Sequence, residues 1–268
     1  MSTRVRMFAG VTTLMLSGSA IAYPGGTPSF VTDVAPYCAS CHSSVSAAQL
    51  DGVPEKRVQA ELVGSKHIGK IKAAGPGSPY ASLSEVQRAA LVQGIEAIDA
   101  ASRIEITAPL QVKGGDLFDV TVTAVGGSGP VVGIALVDAA HRWQARPAAS
   151  AGWQVADVPR VLGPDGAVQS KFTSKRLPGL LGGISYVNVY GIDADPLAGE
   201  FDTVQVTYRL RAPRDPGTYP LGAVFLYGTE KAAPNGAVKE VWGQRPIGGF
   251  TGNSGRVRFS NVLAIKVD

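Results

Sequence analysis

From residue 103 to the last residue, 268, the sequence never settles into a helical period. Apolar and polar residues alternate in short runs, and Gly, Pro and Asp clusters separate them. The runs are RIEITAPLQV (103–112), LFDVTVTAVG (117–126), PVVGIALVD (130–138), ISYVNVYGI (184–192), FDTVQVTYRLRAP (201–213), YPLGAVFLYG (219–228) and RVRFSNVLAIKV (256–267). A strand sends successive side chains to opposite faces, so this spacing buries one face and wets the other. GGSGP (126–130) makes a tight connection between the second and third runs. The pattern predicts an all-β antiparallel sandwich with one or two long loops. Segments 153–181 and 229–256 lack a pattern and read as loops or irregular strands, with Trp153 and Trp242 available to line a groove or to dock on the rest of the chain. The 33 glycines and 18 prolines fit a chain with many turns.

The N-terminus carries a different kind of signal. MSTRVRMFAGVTTLMLSGSAIA (1–22) places two arginines before an apolar run and small residues at Ala20 and Ala22, the pattern of a cleaved export signal. The run is too short, and too rich in Ser, Thr and Gly, to be a good membrane span. The mature chain is expected to start at Tyr23, with no cysteine there to take a lipid and no later membrane segment. The expected location is the periplasm or the exterior. Loss of Arg4 and Arg6 lowers the formal charge from +4 to +2. Without a basic run, that balance argues against a nucleic-acid partner.

Both cysteines lie in PYCASCHSSV (36–45), and His42 follows the second directly. Outside the cytoplasm such a pair forms a disulfide by default. A C-x-x-C pair also serves thioredoxin-like redox chemistry, but that chemistry needs a βαβ setting that does not surround Cys38. Structural zinc needs four ligands, and two cysteines with three histidines in all make such a site hard to assemble. Cys-x-x-Cys-His is the attachment pattern of c-type haem: two thioether bonds fix the porphyrin against one helical turn, and the next imidazole faces the iron.

On this motif, residues 23–102 resemble a small monohaem cytochrome c domain. Two helical patterns accompany it. VPEKRVQAELVG (53–64) has Pro54 in a first turn, Val58 and Leu62 one turn apart and a stopping Gly64. In SLSEVQRAALVQGIEAIDA (82–100), Ser82 and Glu85 suggest a capping box, and Leu83, Val86, Ala90, Leu91, Ile95 and Ile98 recur at helical spacing. DPGTYPLGAVFLYG (215–228) resembles the tyrosine corner of immunoglobulin-like and fibronectin-like sandwiches, with Asp215, Gly217 and Tyr219 in place and Leu221 where antibody domains have cysteine. The expected architecture is therefore multidomain: a signal at 1–22, a small all-α cytochrome c domain at 23–102, and an all-β antiparallel Ig-like sandwich at 103–268.

The resemblance implies one covalent haem c, held through Cys38 and Cys41, with His42 as the proximal iron ligand. Methionine, the usual distal ligand, is excluded, because Met1, Met7 and Met15 all lie in the signal. His67, in the loop SKHIGKIKAAGPGSPYA (65–81), sits where the family places its distal ligand. Lys66 or Lys70, or a vacant position, are the alternatives. Two strong axial ligands would restrict the iron to electron exchange. Lys66, Lys70 and Lys72, with Lys56 and Arg57, could form a basic rim that steers an acidic redox partner protein. The plainer account of the same lysines is a solvated loop.

The sandwich half offers no catalytic set. His141 lies near Asp138, but no serine has a nucleophile-elbow setting. GIDADPLAGE (191–200) is rich in acids but lacks EF-hand spacing. The expected function is extracytoplasmic one-electron transfer rather than enzymatic turnover, with the sandwich docking a partner. The competing functions are a binding or adhesion sandwich with an accessory haem, and a haem enzyme or gas sensor with an open iron.

Overall fold

The computed structural model describes residues 67–78, 80–138, 147–171, 183–229 and 255–268. Cys38, Cys41, His42, His141, Trp143 and Trp242 lie outside them. Among the described residues two α-helices precede the strands: α1 (Gly69–Ala73) and α2 (Glu85–Ala101). The strands follow in order: β1 (Arg103–Thr107), β2 (Gln111–Val112), β3 (Leu117–Val125), β4 (Ser128–Val137), β5 (Gln154–Val155), β6 (Arg160–Leu162), β7 (Val168–Gln169), β8 (Tyr186–Tyr190), β9 (Thr203–Arg211), β10 (Gly217–Gly228), β11 (Gly255–Phe259) and β12 (Leu263–Val267). Among the described residues no helix is long and apolar enough to cross a membrane.

The strands form two sheets. One runs β1-β3-β9-β6-β7, with β5 also on β9; the other runs β2-β12-β10-β4-β8, with β11 also on β10. All pairs are antiparallel except the two-residue β2–β12 pair. Alternation decides which residues enter the core. Phe118, Val120, Val122 and Ala124 of β3 and Val204, Val206, Tyr208 and Leu210 of β9 point inward from the first sheet. They meet Val132, Ile134 and Leu136 of β4 and Leu221, Ala223 and Phe225 of β10 in one continuous core. From Leu221 onward β10 is buried on both faces, because Val224 and Leu226 join Ala135, Val137, Tyr186 and Val257 in a second cluster.

One expected strand and one segment expected to lack a clear pattern proved different in detail. RIEITAPLQV is broken at Pro109, which lacks the N–H a ladder needs. β1 stays in the first sheet and β2 crosses to the second. Segment 153–171, expected to be irregular, supplies β5, β6 and β7. Trp153 lines no groove: it is buried in the core, donates Nε1–H to the Pro220 carbonyl at 2.8 Å, and packs edge-on against Phe118 and Tyr219. The expected tyrosine corner bond is present, with the Tyr219 hydroxyl donating to the Asp215 carbonyl at 2.9 Å.

The helices carry the main correction. The expected fold, an all-α cytochrome domain followed by an Ig-like sandwich, is overturned. The described residues hold far more strand than helix, with only two α-helices among them, and α2 is built into the sheets' own packing. Ile98 of α2 belongs to the sandwich core, and Gly94 approaches Pro196 so closely that an added Cβ would lie 3.4 Å from its ring. At the helix C-cap, the Ser102 Oγ accepts from the Gly127 N–H at 2.9 Å and donates to the Ile98 carbonyl at 2.6 Å. A helical period reveals that a helix has an apolar face. It does not reveal whether that face meets another helix or a sheet. Here Val92 and Ile95 pack with Ile71, Tyr80 and Leu83, while Ile98, farther along, enters the sandwich.

The register of α2 also differs from expectation. Ser84, not Ser82, is the N-cap: its Oγ accepts from Gln87 N–H at 3.3 Å, and Gln87 Oε1 accepts from Ser84 N–H at 2.8 Å. Val86 is accordingly 79% exposed rather than part of the apolar face. Segment 65–81, expected to be a loop, contains α1.

Candidate functional site

Of the expected site residues, His67 alone falls among the described residues, and it is fully buried. It stands just before α1 and is touched by Arg256, behind which two further elements supply Asp99 and Tyr227. Asp99 sits in the last turn of α2, where the helix dipole disfavours a negative charge, so it needs cationic partners. Tyr227 of β10 and Arg256 of β11 are directly paired across the ladder, so their side chains share one face.

These groups form one chain of contacts. Arg256 donates from Nε to Asp99 Oδ2 at 3.0 Å, from Nη1 to the Gly255 carbonyl at 3.2 Å, and from Nη2 to His67 Nδ1 at 2.9 Å. Tyr227 donates its hydroxyl proton to Asp99 Oδ1 at 3.0 Å and stacks on Phe225 with ring centroids 4.9 Å apart. Arg258 donates from Nη2 to the Asp99 carbonyl. The Arg256 side chain is 1% exposed and the Asp99 side chain 15%. Burying a guanidinium this completely is costly unless it is paired and bonded. Asp99 supplies the charge and His67 one of the acceptors.

The donor–acceptor polarity fixes His67. A guanidinium has no acceptor, so Nδ1 must be the acceptor and carries no proton. In the neutral ring the proton then lies on Nε2. Cys38, Cys41 and His42 supply the donors a covalent haem takes, two thiols and an adjacent imidazole, but they lie outside the described residues. His67 does not fit as their neutral distal partner, because a protonated Nε2 has no lone pair for iron.

The other acidic candidates are occupied in turn structure. In 191–200, Asp195 Oδ1 accepts from the backbone of Leu197 and Ala198 at 3.2 and 3.1 Å, and just beyond it Asp202 Oδ2 accepts from Asp193 N–H at 2.6 Å. Among the described residues no group of three or more His, Cys, Asp and Glu side chains could hold a metal ion. A cleft of about 440 Å³ between Gly115, Gln154, Arg211 and Arg214 holds no carboxylate or imidazole.

Sequence reasoning singled out His67 and missed Asp99, Tyr227 and Arg256. In the alternating run that begins at Arg256, Val257 and Arg258, the sequence puts both arginines on one face without saying which face is buried. Only the β10–β11 register and the end of α2 show that Arg256 turns inward. No protein-family model matches this chain, and no curated protein matches it.

Proposed function

We propose that this chain is an exported c-type cytochrome that passes single electrons. Cys38 and Cys41 hold one haem by thioether bonds, and His42 is the proximal ligand. The observation that carries this reading is the sequence Cys38-Ala39-Ser40-Cys41-His42, which uses both cysteines of the chain, behind an export signal. When bound, the haem supplies a reversible one-electron couple.

The remaining residues have supporting roles in this reading. The His67–Arg256–Asp99–Tyr227 cluster ties His67, which follows the motif in the chain, to β10, β11 and α2. Lys70 and Lys72 are exposed on α1 and leave a positive surface near that junction. A positive surface there would favour encounter with an acidic redox partner. The sandwich is the docking body for that partner.

The test is Cys38→Ala with Cys41→Ala, in a host that matures c-type haem. The wild type should keep haem through acid–solvent extraction and take and return one electron per chain. The double variant should keep none. Haem that is extractable from the wild type would overturn the proposal, as would a wild type without haem.

A further inference from the structure

We infer that His67 is not an iron ligand but the buried acceptor that completes Arg256 and so fastens the chain downstream of the motif to the sandwich. Three observations lead there. First, Arg256 Nη2 lies 2.9 Å from Nδ1 and can only donate. An iron-bound imidazole presents the opposite polarity, since its second nitrogen carries the proton and donates it to a carboxylate, a carbonyl or water. For Nε2 to bind iron while Nδ1 accepts, the ring would have to be an imidazolate.

Second, turning the ring over does not remove the conflict. It sets a C–H against a guanidinium that is 1% exposed, and so strips a bond from a buried cation. Third, Arg256 cannot readily swing aside. Asp99 holds its Nε, and Asp99 is itself fixed by the Tyr227 hydroxyl and by Arg258. The donor that faces His67 is therefore preorganised by β10, β11 and α2 together. Lys70, the alternative ligand offered by the sequence, is exposed on α1.

The spectroscopic part of the test rests on the proposed covalent haem; the stability and tautomer parts do not. His67→Gln keeps a side-chain carbonyl able to accept from Arg256, but glutamine is no match for imidazole as an iron ligand. His67→Ala removes the acceptor. The full chain should show three results. His67→Gln should unfold close to wild type, whereas His67→Ala should lose about tenfold to hundredfold in its folding equilibrium constant, the cost of a bond to a charged group. The absorption spectrum and carbon monoxide association rate should be the same in all three proteins. Ring-nitrogen NMR of the full chain as exported should place the His67 proton on Nε2.

A shift of spin state and faster carbon monoxide binding in both variants would overturn the inference, whether the native ligand is imidazole or imidazolate. So would a proton on Nδ1, or a glutamine variant as unstable as the alanine one. A wild type that carries no covalent haem defeats the proposed function instead, and the unfolding and NMR results then decide the role of His67.

Discussion

Replacing Asp99 with alanine should be among the most damaging single changes to the described structure. The carboxylate neutralises Arg256 at 3.0 Å and accepts the Tyr227 hydroxyl at 3.0 Å. Removing one partner of a buried ion pair costs about 3–5 kcal/mol, because the other charge stays buried. Asp99 keeps 15% of its side-chain surface, so water can reach the vacated space, and the lower end, about 3 kcal/mol, applies. The orphaned Tyr227 hydroxyl adds about 1 kcal/mol. A total of about 3–4 kcal/mol corresponds to a fall in Tm of roughly 6–16 °C for a chain of this size. Asp99→Asn keeps an acceptor oxygen and loses the charge, so it should fall between alanine and wild type. The double variant Asp99→Leu/Arg256→Met should be more stable than Asp99→Ala, since no buried charge is left unmatched. Denaturant unfolding followed by circular dichroism measures all four proteins. An Asp99→Ala loss under about 1 kcal/mol would refute the buried-pair argument. So would a double variant less stable than the single one.

Other perturbations test the way the helix and sheets are joined. A chain starting at residue 103 lacks Ile98 and Ser102, so it should unfold at lower denaturant than one starting at residue 85; equal midpoints would mean that α2 adds nothing to the sandwich. Tyr219→Phe should cost about 1 kcal/mol through the lost bond to the Asp215 carbonyl, read from the shift in the unfolding midpoint. Trp153→Ala should cost about 3–5 kcal/mol, since it empties a core site and strands the Pro220 carbonyl; a loss below about 1 kcal/mol would place the indole outside the core.

The strands were legible in the sequence because period-two alternation reports directly on a half-buried face. β1, β3 and β9 show it plainly, and the Asp215–Tyr219 corner bond followed from local spacing. Helix α2 was legible as a helix but not in its register or partner. Ser82 and Ser84 are both possible caps in SLSEVQ, and only packing exposes Val86 and buries Leu83. The helical signal was read as part of a separate all-α unit, and the contacts of Ile98 and Asp99 with the sheets contradict that. His67 stood out as a rare residue type in a suggestive place. What surrounds it was not legible, because Arg256 and Tyr227 come from strands far along the chain and meet it only through sheet register. Polarity was hidden for the same reason: a sequence names an imidazole but not the group that faces its nitrogen.

A haem covalently held at Cys38 and Cys41 is tested most directly by mass spectrometry of the chain exported from a host with c-haem maturation. The expected result is an intact mass raised by one haem, cleavage after Ala22, and the added mass on the peptide that contains Cys38, Cys41 and His42. A mature chain at its unmodified mass would contradict it, and so would one lighter by two hydrogens from a Cys38–Cys41 disulfide.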